Sequence, residues 1–224
     1  MNELLPTNEE PIKIINSDCL DVLKKLPDNC IDLVLTDPPY GDGVGYGRML
    51  KTIENNEDET INYKLLELVY PKMKDNTSLY LFTNWKFEIK LRNYIENHTK
   101  FKIRMLIVMV KNNIGMGYGF RNQYELCIVL EKGAPKYNLN NFSNFYKTHH
   151  IKQNKETHPH QKDECFIQKI IKHSSKKNDL VIDPFLGSGT TAVACKQLNR
   201  KCLGIEISKE YCDIAKKRLK QGVL

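Results

Sequence analysis

The chain has 224 residues, of which 41% are hydrophobic and 27% are charged. This composition excludes a disordered or low-complexity polypeptide and predicts one substantial core, so we assign residues 1–224 to a single domain. The formal net charge is +7, which suits a polyanionic partner, although solvated lysines alone can produce such a balance.

The cysteines and the apolar runs bear on the compartment. Seven cysteines include no Cys-x-x-Cys pair, so we expect reduced thiols and no metal site. The first ten residues are polar and acidic, and the longest apolar run, Met105 to Val110, is too short to cross a bilayer. We therefore predict a cytoplasmic protein with no membrane segment.

Short apolar runs alternate with stretches of helical periodicity along the chain, which predicts an α/β fold. Strands are predicted at 12–16, 31–36, 79–83, 103–110, 124–130, 180–183 and 202–207, and helices at 19–26, 63–74, 86–97, 164–173, 190–198 and 209–220. We expect a mostly parallel, seven-stranded sheet with helices on both faces. Three long polar stretches, 41–60, 112–121 and 133–156, are candidates for substrate contact because long loops are uncommon without a function.

A loop that contains Gly187 and Gly189, called here the glycine loop (Phe185 to Thr191), follows the predicted strand that ends at Asp183 and leads into a helix near Thr190. Small residues and backbone N–H groups at a helix N-terminus favour a polar or anionic ligand. The next strand ends at Glu206, about 20 residues on, where a ribose-binding acid is expected. The loop has neither the lysine of a Walker A sequence nor a third glycine, so a nucleoside-containing cofactor is favoured over a triphosphate or a dinucleotide. The alternative is a turn whose glycines serve packing alone.

A second motif, Asp37-Pro38-Pro39-Tyr40, follows an earlier apolar strand. The amino nitrogens of adenine and cytosine are poor nucleophiles because their lone pair is delocalised into the ring, and acceptors aimed at the N–H groups help them to attack. Asp37 offers a carboxylate, the rigid diproline can present the Pro38 carbonyl, and Tyr40 can stack on an extruded base. With the glycine loop, this motif indicates methyl transfer onto an amino group; the alternative is a stiff turn.

The two motifs, in this order, resemble the β-group amino-methyltransferases of DNA, in which the catalytic tetrapeptide precedes the cofactor loop. The resemblance covers most of the chain. Its other motifs are Asn16 to Leu20, Leu79 to Phe82, Lys111 to Asn113, His158-Pro159-His160-Gln161-Lys162 and Gly204-Ile205-Glu206. It implies a Rossmann-like methyltransferase fold and methyl transfer from S-adenosylmethionine to a base in DNA. A tetrapeptide that begins with Asp is similar to the adenine N6 enzymes.

The resemblance also implies roles for single residues. Catalysis is expected from Asp37, Pro38, Pro39 and Tyr40. Asp18 would contact the cofactor adenine, Glu206 its ribose and the glycine loop its methionine part, with Lys162 and Gln161 on the other side of the pocket. The full set of cofactor candidates is Asp18, Asp37, Lys162, Asp183, Phe185, Gly187, Ser188, Gly189, Thr190, Thr191 and Glu206. Family members commonly have Pro after this lysine; here Asp163 follows, and we expect it to cap the next helix.

We expect a mobile substrate loop over 41–60 and a short target-recognition insertion over 133–157, whose aromatic and basic residues suit nucleic acid. The insertion could equally be a surface excursion that covers apolar core. A homodimer is common in the family. Cytosine C5 methylation is excluded because no Pro-Cys dipeptide occurs, and protein-glutamine methylation is disfavoured by the motif order. Methylation of cytosine N4 or RNA, and a catalytically silent nucleic-acid-binding subunit, remain open.

Overall fold

The computed structural model describes residues 3–39, 60–114, 118–148 and 162–221. Its elements in chain order are β1 (Ile12–Asn16), α1 (Cys19–Lys25), β2 (Ile31–Thr36), α2 (Thr60–Lys72), β3 (Met73–Thr83), α3 (Trp85–His98), β4 (Lys102–Val110), β5 (Tyr124–Lys132), β6 (Phe145–Lys147), α4 (Glu164–Ser174), β7 (Leu180–Asp183), α5 (Thr190–Gln197), β8 (Lys201–Glu206) and α6 (Lys209–Lys220).

The strands form one sheet in the order β1-β8-β7-β2-β3-β5-β4-β6. The first five in this order are parallel, β5 runs antiparallel to β3 and β4, and β6 is parallel to β4. The predicted mostly parallel α/β sheet is therefore confirmed. The count of seven strands was wrong, because the described residues contain an eighth strand, β6. At three residues it is too short to leave a recognisable period in the sequence.

Both faces of the sheet are covered, as predicted. Alternate residues of β2 and β3 divide between two cores, with Val34 and Leu79 on one face and Leu33, Leu35 and Tyr80 on the other. Helices α1, α2 and α3 pack on the first face, and α4, α5 and α6 contribute buried residues to the second. No helix among the described residues has the length and apolarity that a bilayer crossing requires.

The boundary between α2 and β3 differs from the prediction. The helix was expected to continue to residue 74, but it ends at Lys72, and β3 begins at Met73 instead of residue 79. The reason is tertiary: Met73 pairs with Ile31 of β2, and the register then shifts before Ser78 pairs with Leu33. Backbone pairing of this kind has no signature in local hydrophobic periodicity.

Side-chain caps fix the starts of several helices. Asp163 caps α4, as predicted, and accepts hydrogen bonds from the Cys165 and Phe166 amides at 2.9 and 3.4 Å. Asp18 caps α1 and accepts from the Leu20 amide at 2.7 Å. Because α1 and α4 follow two of the predicted motifs, these caps help to set where the motif residues lie.

The sheet topology creates a crevice between β2 and β7. These strands are neighbours, but the chain leaves β2 towards β3 and leaves β7 towards β8, in opposite directions along the sheet. In open α/β sheets, ligands bind outside the carboxyl ends of the strands at such a switch point. Asp37 follows β2 and Asp183 ends β7, so the two predicted motifs flank the crevice.

Candidate active site

Four predicted acidic residues lie along one edge of the sheet. Asp37, Asp183 and Glu206 follow or end the adjacent parallel strands β2, β7 and β8. Asp18 follows β1, where the Ser17 amide donates to the Glu206 carbonyl at 3.1 Å. The structure thus brings together residues from distant parts of the sequence at the carboxyl edge, where the sheet topology places a ligand.

Asp37 is paired with Lys162. The ammonium Nζ of Lys162 lies 2.9 Å from Asp37 Oδ2 and 3.0 Å from Glu125 Oε2, and it lies 4.8 Å from the centroid of the Phe82 ring. The other oxygen of Glu125 lies 2.6 Å from Lys111 Nζ. Lys162, which we expected to line the cofactor pocket, therefore directly contacts the tetrapeptide.

This cluster shifts two pKa values. Burial opposes the charge on Lys162, but Asp37 and Glu125 outweigh it and raise the pKa of the ammonium above its usual range. Burial also opposes ionisation of Glu125, but Lys162 and Lys111 lower the pKa of its carboxyl group to about 2. Lys162 and Glu125 are thus both charged across the physiological pH range.

The diproline is anchored to α2. Pro38 is buried, and the side-chain amide Nδ2 of Asn62 donates to the Pro39 carbonyl at 3.0 Å. Asn62 is only 1% exposed, and its Oδ1 has no hydrogen-bond partner among the described residues. Asn62 therefore fixes the path of the chain just beyond Asp37. Tyr40 lies outside the described residues.

The glycine loop has two residues in the left-handed region, Gly187 with φ +55° and Gly189 with φ +87°. The Gly187 amide donates to Glu206 Oε2 at 2.8 Å, and the Gly189 amide donates to the Leu186 carbonyl at 3.1 Å. Both amides are therefore used within the protein. Neither of these two amides is free to bind a ligand. The backbone amides that we expect to contact a ligand are those of the first turn of α5, which begins at Thr190.

Helix α6 supports this loop. A Cβ added at Gly189 would lie 2.6 Å from the Ala215 Cβ, so the helix and the loop are in close contact. Arg218 Nη1 donates to the Ser188 carbonyl at 2.8 Å and to Thr190 Oγ1 at 3.2 Å. Two residues of α6 therefore determine the shape of the loop.

Asp183 is buried beneath the loop. It accepts from Thr191 Oγ1 at 2.6 Å and from the Phe185 amide at 3.1 Å. Burial raises the pKa of the Asp183 carboxyl group to about 7, and these hydrogen bonds only partly oppose the shift. Asp183 thus positions the loop, and the Asp183 carboxyl group gains or loses a proton near neutral pH.

Glu206 Oε2 accepts from the Gly187 amide and Oε1 accepts from the Ser208 amide, both at 2.8 Å. Burial raises the pKa of its carboxyl group, although these hydrogen bonds lower it in part. Each carboxylate oxygen has a second lone pair, so Glu206 can still accept from the hydroxyl groups of a ligand.

The aromatic residues of the predicted recognition segment divide into two groups. Phe142 and Tyr146 pack near Phe166 of α4, which agrees with the alternative that this segment covers core. Phe145 is 58% exposed. In the earlier polar stretch, Tyr118 and Phe120 are fully exposed. The predicted substrate loop lies outside the described residues, except for Thr60.

Sequence reasoning missed Glu125, Asn62, Ala215 and Arg218. One signal was available for Glu125, since a carboxylate inside an otherwise apolar strand needs a partner when it is buried. The other three residues lie on helices and carry no local motif. Their contacts with the tetrapeptide and the glycine loop arise only from tertiary packing.

Comparisons with known proteins identify the family of this chain. Residues 31–217 match the family model described as DNA methylase. Type II methyltransferase M.HpaI of Haemophilus parainfluenzae is 30% identical over 92% of this chain and 74% of its own length. DNA adenine methyltransferase YhdJ of Escherichia coli is 27% identical over 92% of this chain and 82% of its own. The crystal structure of the M1.HpyAVI-SAM complex is 29% identical, with a TM-score of 0.69, over 93% of this chain and all of that one. The chain belongs to the DNA methylase family.

Proposed function

We propose that the protein is a site-specific DNA methyltransferase that transfers a methyl group from S-adenosylmethionine to N6 of adenine. The observation that carries this proposal is the position of Asp37, which flanks the crevice between β2 and β7 and pairs with Lys162 at 2.9 Å. Family membership supports the reaction class. The initial Asp of the tetrapeptide and the name of the relative YhdJ support adenine.

The residues at the carboxyl edge fit S-adenosylmethionine. Glu206 has acceptor capacity for ribose hydroxyls, Asp18 follows the neighbouring strand β1, and the loop from Phe185 to Thr191 would hold the methionine part. Lys162 would close the pocket from the side of α4. S-adenosylmethionine, when bound, supplies an electrophilic methyl group.

The chain's own residues prepare the target amino group. Asp37 accepts a hydrogen bond from one N–H and the Pro38 carbonyl accepts from the other, so the nitrogen lone pair turns towards the methyl donor. The carboxylate of Asp37 also stabilises the positive charge that develops on this nitrogen as the carbon–sulfur bond of the donor breaks, and the proton that the methylated nitrogen then loses passes to solvent. Tyr40 stacks on the base, which must leave the duplex to reach the crevice. No covalent intermediate is required.

Replacing Asp37 with Ala tests this function. We expect methyl transfer to DNA to be lost while the affinity for S-adenosylmethionine, measured by calorimetry, stays within about threefold. Asp28→Asn is a matched control, because Asp28 also pairs with a lysine but lies at an exposed site away from the crevice. Normal turnover by Asp37→Ala would refute the assignment.

Nucleoside analysis of the methylated product separates the remaining alternatives. N6-methyladenine in DNA supports the proposal, whereas N4-methylcytosine or methylated RNA would replace it with the same chemistry on another base. A protein that binds DNA but not the cofactor would be a catalytically silent subunit.

We place target reading on the segment 133–157, where the exposed Phe145 and Lys147 support contact with nucleic acid. Deleting or exchanging this segment and sequencing the modified bases would test the placement.

A homodimer and a cytoplasmic location stay predictions. Sedimentation of the purified chain checks the first, and fractionation of cells checks the second.

A further inference from the structure

A row of four alternating charges ends on Asp37. Lys111 pairs with Glu125 at 2.6 Å, Glu125 with Lys162 at 3.0 Å, and Lys162 with Asp37 at 2.9 Å. The four residues come from separate segments, after β4, at the start of β5, before α4 and after β2. Because β5 is antiparallel to β3, its first residues lie at the same edge as the ends of the parallel strands.

Within this row, the ammonium of Lys162 contacts both Glu125 and Asp37. The Lys162 side chain is 14% exposed and lies between two carboxylates, with the Phe82 ring 4.8 Å from Nζ. The Asp37 side chain is 31% exposed and receives one of these contacts. Glu125 is itself held on its other oxygen by Lys111. A change at Glu125 therefore reaches Asp37 through Lys162.

We propose that Glu125 is a positioning residue for methyl transfer, which holds Lys162 against Asp37 and so fixes the orientation of the carboxylate that receives the target amino group. This inference rests on the proposed function. Glu125 acts through Lys162 and contributes no atom to the reaction. The competing role is structural: through Lys111, Glu125 could simply close the connection between β4 and β5.

A double-mutant cycle separates these two roles. The variants are Glu125→Gln, Lys162→Met and both together, and the measured quantity is the single-turnover rate of methyl transfer with saturating cofactor and DNA. If Glu125 acts through Lys162, Glu125→Gln loses about tenfold or more in rate, and the double variant is no slower than Lys162→Met. A purely structural role predicts losses that multiply.

Glu131→Gln is the matched control. Glu131 lies on the same strand, accepts from the Tyr137 hydroxyl at 2.7 Å and lies 3.6 Å from Arg104, but it is near the opposite end of β5. We expect its rate to stay within about twofold of the wild type. Because Lys162 would also close the cofactor pocket, calorimetry of Glu125→Gln measures any change in the affinity for S-adenosylmethionine, and saturating cofactor keeps that change out of the measured rate.

A readout that needs neither DNA nor turnover is the NMR titration of the Lys162 side chain. Among the described residues, the titratable groups around its ammonium include Asp37 after β2, and Glu125 and the Cys127 thiol on β5, with Lys111 beyond Glu125. Removing one of its two carboxylate partners should lower the pKa of Lys162 in Glu125→Gln, whereas Glu131→Gln should leave it unchanged.

Wild-type rates in Glu125→Gln, or multiplicative losses in the double variant, would overturn the inference. If Asp37→Ala is inactive while Glu125→Gln is fully active, only the role of Glu125 fails; if Asp37→Ala is active, the proposed function fails. Should Glu125→Gln not fold, Glu125→Asp provides the same test, since it keeps the charge but shortens the reach to Lys162. Its rate should fall between those of wild type and Lys162→Met, and a wild-type rate would again overturn the inference.

Discussion

Replacing either glycine of the cofactor loop with Ala should destabilise the protein, but by different amounts. Both residues have positive φ, +55° at Gly187 and +87° at Gly189. A Cβ at Gly187 would meet no atom of the described residues within 4 Å, whereas at Gly189 it would lie 2.6 Å from the Ala215 Cβ and 3.0 Å from the Ala215 Cα. Gly187→Ala is therefore a matched control that carries the backbone cost without the collision.

The expected losses of unfolding free energy have two causes, the left-handed backbone conformation and the collision with Ala215. A left-handed conformation costs a non-glycine residue about 1–2 kcal/mol, which applies to both variants. Overpacking a tight contact costs a further 1–3 kcal/mol, roughly, and applies only at Gly189. For a domain of this size, about 1 kcal/mol shifts the melting temperature by about 2–4 °C. Gly189→Ala should therefore melt several degrees below Gly187→Ala.

Urea unfolding of the two single variants measures the difference between their free energies of unfolding. Ala215→Gly supplies the compensating change. Ala215→Gly alone should cost about 1 kcal/mol, because it places a glycine within a helix. Combined with Gly189→Ala, it should recover about 1–3 kcal/mol relative to the sum of the single effects. Equal destabilisation by Gly187→Ala and Gly189→Ala, or strictly additive energies in the double variant, would refute the contact between α6 and the loop.

Much of the fold was predictable because its central strands are buried on both faces. The predicted bounds of the central strands β2 and β7 match the structure, since each is a short, largely apolar run between polar residues. The bounds of the edge strand β1 also match, although β1 is only half-buried. Periodicity, however, carries no information on strand direction. The antiparallel orientation of β5 was therefore not predictable, and this orientation is what brings Glu125 to the active edge.

The site was predictable to the extent that its residues lie in local motifs at strand ends. Asp37, Asp183 and Glu206 each end or follow a parallel strand, so topology alone brings them to one edge. Lys162 also came from a motif, but its ion pair with Asp37 depends on how α4 packs on the sheet. Arg218 was missed because α6 has no feature in sequence that distinguishes a loop-binding arginine from its exposed basic neighbours.

Three further changes test how the fold supports the site. Arg218→Met removes hydrogen bonds to Ser188 and Thr190, so calorimetry should show about tenfold weaker cofactor binding. The exposed control Lys216→Met should bind the cofactor normally, and equal affinities of the two variants would argue against support of the loop by α6. Asn62→Leu removes the anchor on the Pro39 carbonyl, so single-turnover rates should fall about tenfold, and an unchanged rate would contradict this role. Stability should be kept, because the variant also removes a buried Oδ1 that has no hydrogen-bond partner in the described part of the chain. Asp183→Asn tests the pH dependence of folding. The native pKa of Asp183 is raised from 3.8 to about 7, so its native state holds a proton that the unfolded chain releases. The stability that this group contributes is full below the unfolded pKa and is lost as pH rises through about 7, an effect of up to about 4 kcal/mol. Urea unfolding at about pH 5 and about pH 8 should therefore show a loss in the wild type that is smaller in Asp183→Asn, and an equal loss in both proteins would mean that Asp183 is not the titrating group.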